Sequence, residues 1–394
     1  VHLIAQGLAA EGHEVEVLTS CADDYKDWTD AFPPGVTTSE GVTLRRLRVI
    51  EPRDNDQFLP LHARAIEPGH PPLWPWSQDR WTWQMGPALA DGEAEVAALA
   101  RRSDVTVMVC YHYLPAMRLT KVAAANGPVC LQTTAHPEGA FQTGAVRPMM
   151  HFADLILCEV PEEADLVHDT TGLGHKTRTA PCPIDEVATP SPEEIGATRA
   201  RLGIADAPYL VTVGRPDAGK GTFDAVEFTR LARRSVLPEL QLVIVGPLDD
   251  SVKSGPGVTT VGVLDEVDKT AVIAGADALL QPSYMESLSI VLLEGWLLGR
   301  PAIVNGRCAV LAGQARRSGG AVVYDDFGDF EAGVSWLLGD EQARERLGAN
   351  GGEYARANYS WPAARDQFLG AVEEAITIGN TRLGRARRGV RPTV

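Results

Sequence analysis

YLVTVGRPDAGKGTFDAV, residues 209–226, holds one full turn of an α/β fold. YLVTV is a short, near-continuous apolar run rich in β-branched residues. It is bounded by a glycine, so it reads as a strand buried on both faces. Gly214, Gly219 and Gly221 make the turn that follows, and a helix is expected from near Thr222. Glycines let backbone N–H groups approach an anion, and the helix N-terminus adds a favourable dipole. Arg215 and Lys220 add two full positive charges. The segment therefore predicts a clamp for a diphosphate. It comes close to a P-loop, since G-x-x-x-x-G-K is present as Gly214 to Lys220, but Gly221 stands where that loop needs a Ser or Thr hydroxyl on magnesium. The structural alternative is an ordinary glycine turn with exposed basic residues.

The same alternation of short apolar runs and helical segments extends in both directions. Downstream the strand candidates are QLVIVG (241–246), VTTVGV (258–263), ADALLQ (276–281), PAIVN (301–305) and AVVY (321–324). Upstream they are EVEVLT (14–19), VTLRRLRV (42–49), DVTVMVC (104–110), PVCLQTT (128–134) and DLILC (154–158). Such runs between helices signal parallel sheets covered on both faces. A chain of 394 residues is too long for one ordinary core. The expected architecture is two Rossmann-like, doubly wound α/β domains facing across a cleft. The first spans 1–180, with a helix over 362–378 packing back on it, and the second spans 195–361. APCPIDEVATPSPEE, rich in proline and acid, places the linker at 181–194, with Ser191 opening a helix cap. The chain opens on VHLIAQGLAAEGHEVEVLT, a helix and then a strand. A helix that opens an α/β domain normally follows a strand and a tight turn, so the first strand of that domain is expected to be missing.

Composition narrows the classes. Hydrophobic content of 44% with 22% charged residues fits a globular protein, and no apolar run reaches membrane-spanning length. The net charge of -16 argues against a nucleic-acid binder. Six scattered cysteines without a C-x-x-C pair favour reduced thiols and a cytoplasmic setting over disulfides or zinc. The segment 379–394 runs against the overall charge: TRLGRARRGVRPTV has five arginines and no acid. It reads as a solvated tail, with weak peripheral contact to anionic lipid as the alternative. Oligomeric state has no signature.

ESLSIVLLEG, residues 286–295, brackets an apolar run with two glutamates. A carboxylate beside buried apolar side chains needs hydrogen-bond donors. The strand ALLQ ends just before Pro282, and a helix is expected to start around Ser287 to Ser289. In one continuous helix the two acids would differ by about 80° in direction. With Glu286 in the preceding turn, both can face one site. A carboxylate accepts two hydrogen bonds from a vicinal diol, so Glu294 suits a ribose and Glu286 the hydroxyls of a sugar. The N–H groups of Ser287 and Leu288 suit phosphate or sugar oxygens. The alternative is a pair of helix-surface acids.

Taken together, VGR with GKG, then VIVG (243–246), VGVL (261–264) and PSYMES through LLEG to GRPAIV resemble the C-terminal half of family-4 glycosyltransferases of the GT-B type. Glu286 and Glu294 match that family's glutamate, seven residues, glutamate pattern. GLAAEGHEVEVLT (7–19) and ADLILCEVPEEADLV (153–167) extend the likeness over the first half. The resemblance implies retaining, metal-independent transfer of a sugar from a nucleotide-diphosphate sugar to a glycan or other glycoconjugate, with no cofactor. Arg215 and Lys220 would neutralise the leaving diphosphate, Glu294 would bind the ribose, and Glu286 would contact the donor sugar. Gly262 and Leu264 would flank the base. His136, just after a strand in TTAHPEG, would lie near the reaction centre with Glu138 as neighbour. His112, in CYHYLP, is a second-line candidate for the acceptor side.

This chain departs from the family in places. Ser289 stands where the family usually has Gly, and Gly295 where it has Ala. A glycine pair and an acid are replaced by NGRCAVLAGQ (305–314), which makes Asn305 an acceptor-side candidate. PPLWPWSQDRWTWQMG (71–86) holds four of the eight tryptophans. With Trp81 it either lines the acceptor site or forms a packed insert. Asp54 and Asp56 form D-x-D without an accompanying strand and are not read as a metal site. Two rivals stand beside transfer: a nucleotide-sugar 2-epimerase of the same architecture, and an inert nucleotide-sugar-binding protein.

Overall fold

All eleven apolar runs singled out above are strands, and two further strands join them. A computed structural model describes residues 1–66 and 75–384. The chain divides into a first unit, Val1–Pro183 with the chain from Ala364 onward, and a second unit, Ile184–Ala363. The start of the tryptophan-rich segment, through Trp74, and the basic tail from 385 on lie outside the described residues.

In the first unit the strands are β1 (Val15–Ser20), β2 (Gly35–Ser39), β3 (Val42–Leu47), β4 (Thr106–Val109), β5 (Val129–Gln132), β6 (Leu155–Cys158) and β7 (Thr177–Thr179). The last four form a parallel sheet in the order β4-β5-β6-β7. β5 and β6 are buried along their whole length, as their unbroken apolar sequences require. The other three make a separate sheet, β1-β3-β2. β1 and β3 are parallel, whereas β2 runs antiparallel to β3. The hairpin turns at Glu40 and Gly41, both with positive φ (51° and 78°), as two-residue hairpin loops demand. β2, absent from the sequence reading, is a fully exposed antiparallel edge on an otherwise parallel pattern.

The C-terminal helix Trp361–Arg382 belongs to this unit. Phe368, Val372 and Ile376 share a core cluster with Cys130, Leu155 and Leu157. Arg382 clamps the buried Asp154 through both carboxylate oxygens, at 2.8 and 2.9 Å.

The second unit is one six-stranded parallel sheet. Its strands are β8 (Tyr209–Val213), β9 (Gln241–Val245), β10 (Val258–Gly262), β11 (Ala278–Gln281), β12 (Ala302–Asn305) and β13 (Ala321–Tyr324). Their spatial order is β10-β9-β8-β11-β12-β13. The chain winds outward in one direction from β8, returns, and winds outward in the other from β11, which is the doubly wound arrangement. The order reverses between β8 and β11, so the loops after these two strands flank the switch point where open α/β sheets bind ligands. The helix that enters the unit, Pro192–Leu202, opens with a capping box. Glu194 N–H donates to Ser191 Oγ, and Ser191 N–H donates to the Glu194 carboxylate at 2.7 Å.

Candidate functional site

The loop after β8 is shaped by its glycines. Gly214 has φ +151° and Gly221 φ +65°, both in the region that favours glycine. A Cβ on Gly221 would stand 2.1 Å from the carbonyl oxygen of Pro282, so the missing side chain lets this loop rest directly on the loop after β11. Asp217 accepts the Lys220 N–H at 2.8 Å and fixes the turn. The helix Thr222–Ser235 then begins with Gly221 as its N-cap.

Two more links join the loops. Tyr284 N–H donates to the Gly219 carbonyl at 2.9 Å, and Tyr284 O–H donates to Asp224 at 2.5 Å. The hydrogen bond to Asp224, followed by burial, raises the Tyr284 pKa.

Lys220 and Glu286 meet across this junction, Nζ to Oε1, at 2.7 Å. Glu286 is buried in the loop before the helix Ile290–Leu297, and Ser289 is that helix's N-cap. Glu294 follows in the helix itself, so the two acids lie on different elements, and Ser287 and Leu288 sit half-buried in the loop between them. Gln281, the last residue of β11, donates from Nε2 to Glu286 Oε1 at 3.0 Å and to Ser289 Oγ at 2.9 Å.

Packing holds the short helix in place. Trp296 is fully buried, donates to the Gly320 carbonyl at 2.9 Å, and lies so close to Gly351 that a Cβ there would meet its ring at 2.2 Å. Glu294 Oε1 takes Lys269 Nζ at 3.0 Å, while its Oε2 is buried with no hydrogen-bond partner. Burial raises the Glu294 pKa, against the pull of Lys269. A buried carboxylate oxygen without a donor costs about 1–3 kcal/mol and fits a site that accepts a donor from elsewhere.

Arg215 projects from the first loop with its side chain 63% exposed and its guanidinium 4.0 Å from Asp217. Gly262 closes β10 with φ +78°, accepts the Gly246 N–H through its carbonyl, and precedes the exposed Val263 and half-buried Leu264.

Asn305 is corrected as an acceptor-side candidate. It is buried, its amide donates to the Pro282 carbonyl at 3.0 Å, and its oxygen accepts the Arg307 N–H at 3.0 Å. Both ends are spent in bracing the loop after β12 against the loop after β11.

In the first unit the candidates gather after β4 and β5. Cys110, directly after β4, and Thr134, two residues after β5, carry positive φ (67° and 50°), a conformation non-glycine residues rarely adopt. Tyr111 is buried and donates its hydroxyl to Glu138. His136 Nδ1 lies 3.7 Å from Glu138 Oε1, beyond hydrogen-bond reach, and is buried without a hydrogen-bond partner. The buried Glu163 ties the His136 loop down, accepting from Thr133 Oγ at 2.6 Å and from the Ala135 N–H. Burial lifts its pKa to about 8. His112 is held neutral, pushed down to about 4 by burial and then by His136, His62 and Arg53.

Trp81 is corrected too. It is fully buried, with its indole N–H on His62 Nδ1 at 3.2 Å, so it builds the core rather than an acceptor face. Asp54, from the D-x-D, accepts the Asp56 and Gln57 N–H groups at the start of the helix Asn55–Ile66 and is a helix-start acceptor.

Sequence reading missed Gln281, Lys269, Tyr284 and Asp224. Gln281 alone left a trace, as a polar residue closing the apolar run ALLQ.

The model of "Glycosyl transferases group 1" matches residues 195–354, within the second unit. The α-D-kanosaminyltransferase of Streptomyces kanamyceticus is 30% identical over 192 residues, 45% of this chain, and the chain spans about half of that relative's length (48%). Among solved structures, sucrose-phosphate synthase from Thermosynechococcus elongatus superposes with a TM-score of 0.66 at 18% identity, covering 95% of this chain and 92% of that one. HepE of Anabaena, in complex with UDP and glucose, gives 0.62 at 13% identity, covering 85% and 87%. Residues 195–354 of the second unit are thus similar to group 1 glycosyl transferases, and the structural likenesses give the chain the GT-B type of α/β fold.

Proposed function

We propose that this protein transfers a sugar, with retention and without a metal, from a nucleoside-diphosphate sugar to a glycan or other glycoconjugate acceptor. The observation that carries the reading is the 2.7 Å contact of Lys220 with Glu286 at the switch point of a glycosyltransferase domain. It brings the diphosphate-clamp loop and the sugar-facing loop to one place.

The donor occupies the C-terminal ends of β8 and β11. Backbone N–H groups of the glycine turn, Arg215 and Lys220 hold the diphosphate. As the bond from the sugar to the diphosphate breaks, these charges stabilise the negative charge growing on the leaving group. Glu294 accepts ribose hydroxyls through its unpartnered Oε2, and Glu286 accepts from the sugar. The acceptor oxygen attacks the face the diphosphate leaves, and its proton passes to a departing phosphate oxygen. His136 of the first unit serves the transfer step, and Glu138 and His112 serve acceptor recognition. That HepE of Anabaena was solved with UDP and glucose supports a uridine nucleotide as the first donor to try. The six free thiols support a cytoplasmic setting.

Calorimetry with UDP, GDP, UDP-glucose and GDP-mannose in the presence of EDTA tests the reading, followed by mass spectrometry of the products. At least one nucleotide binds without metal, and Lys220→Ala weakens it by about 10–100-fold, the worth of a charged hydrogen bond. Unchanged affinity in Lys220→Ala removes the clamp, and absence of all nucleotide binding removes the donor site.

A further inference from the structure

The end of β11 holds a buried amide that sugar transfer, as described so far, leaves without a task. Gln281 is 4% exposed. Its Nε2 carries two hydrogens, and its two near acceptors are Glu286 Oε1 at 3.0 Å and Ser289 Oγ at 2.9 Å, with Ser283 Oγ a longer contact at 3.5 Å. Both donors are spent, so the amide orientation is fixed. Turned over, it would set its own carbonyl oxygen against the carboxylate in a site where Glu286 is 8% and Ser289 2% exposed.

Lys220 reaches the same Glu286 Oε1. One oxygen thus takes a charged donor and a neutral one, and the two differ in what competes for them. Lys220 rides on a flexible stem with its side chain 35% exposed, and any phosphate group attracts it. Gln281 closes a strand hydrogen-bonded between β8 and β12, and a buried neutral amide has no such rival.

We propose that Gln281, oriented by Ser289, is the positioning residue for Glu286. It keeps the carboxylate in place while Lys220 is engaged by the donor diphosphate, so that Glu286 presents Oε2 to the sugar. Its role in turnover rests on the sugar-transfer reading. The geometry it describes does not.

Three measurements test this. In a crystal structure of Lys220→Met, Gln281 Nε2 and Glu286 Oε1 remain within hydrogen-bond distance. A carboxylate that has swung away overturns the proposal. In kinetics with UDP-glucose hydrolysis as the probe, Gln281→Leu lowers kcat by about 100-fold while UDP affinity stays within about twofold of wild type. A parallel loss of both overturns it.

Gln281→Glu supplies a signature that packing alone does not produce. The introduced acid donates to Glu286 only while protonated, so the ratio of variant to wild-type kcat rises as pH falls. A ratio independent of pH counts against the proposal. If wild type binds no nucleotide and hydrolyses no UDP-glucose, sugar transfer fails, and the Lys220→Met structure still decides whether Gln281 holds Glu286.

Discussion

Glu294 shows how one side chain can be stable in place and still incomplete. One oxygen is paired with Lys269, and the other is buried without a donor. Burial holds its pKa above the ordinary value of 4.5, and Lys269 limits the rise. A raised pKa means that the proton is taken up at a higher pH than an exposed glutamate would need. The acceptor proposed for ribose is therefore lost on acidification from above the usual carboxylate range. UDP affinity, followed by calorimetry from neutral pH downward, is expected to fall along an acid limb that Glu294→Gln lacks. Lys269→Met removes the cation that opposes the shift, so the limb moves to higher pH. An identical limb in Glu294→Gln would show that another group titrates. The spacing of Glu286 and Glu294 drew attention to this carboxylate from sequence. Lys269 was invisible there, because it comes from the helix after β10, twenty-five residues away, and only the fold brings it to 3.0 Å.

At the scale of elements, the junction of the β8 and β11 loops depends on two glycines that differ sharply in what surrounds them. Gly221 has φ +65° and would drive a Cβ to 2.1 Å from the Pro282 carbonyl oxygen. Gly219 has no such φ, and a Cβ there meets only Asp217 Oδ1 at 3.4 Å and Met285 Cε at 3.5 Å, ordinary contacts. Gly221→Ala is expected to cost about 3 kcal/mol through backbone strain and displacement of the Pro282 loop, whereas Gly219→Ala stays within about 0.5 kcal/mol. Denaturant melts measure both, and UDP calorimetry shows whether the displaced loop carries Lys220 away. Equal melts for the two variants would mean the loops do not rest on one another. The turn itself was legible, since glycines and a β-branched run have few other readings. β2 and β7 were not. GVTTS and TRT are short and polar and carry no buried face, so the periodicity that betrays a strand is absent. Helix starts were near the mark: the helix after Glu286 begins at Ile290, one residue past the expected window, with Ser289 extended as its N-cap.

At the scale of the molecule, each unit has its own apolar centre, and the chain supplies them unequally. The second unit is a single continuous segment. Its strands and the helices that follow share one cluster built on Leu210, Leu242, Ile244, Leu280, Ile303, Phe330 and Val334. Ile184 N–H donates to the Tyr359 carbonyl at 2.8 Å, which joins the start of that segment to its end. The first unit is discontinuous, since Phe368, Val372 and Ile376 return from the far end of the chain to cover Cys130, Leu155 and Leu157. Sequence patterning showed a terminal helix. It did not reveal Arg382 on Asp154, a contact spanning 228 residues that no local signal encodes. Trp81 kept two readings for a related reason: a tryptophan-rich segment has the same composition whether it lines a site or fills a core. The two units should therefore respond differently to excision. A fragment of residues 184–363 keeps all of its cluster and the loops of the proposed donor site, so it is expected to melt cooperatively by circular dichroism and to bind UDP within about tenfold of the full chain. A fragment of residues 1–183 exposes the face that Phe368, Val372 and Ile376 cover, and is expected to aggregate or melt without cooperativity. Adding a peptide of residues 361–384 in trans should restore a cooperative transition. If residues 184–363 fail to fold alone, or residues 1–183 melt cooperatively without the peptide, the core of each unit is not where these contacts place it.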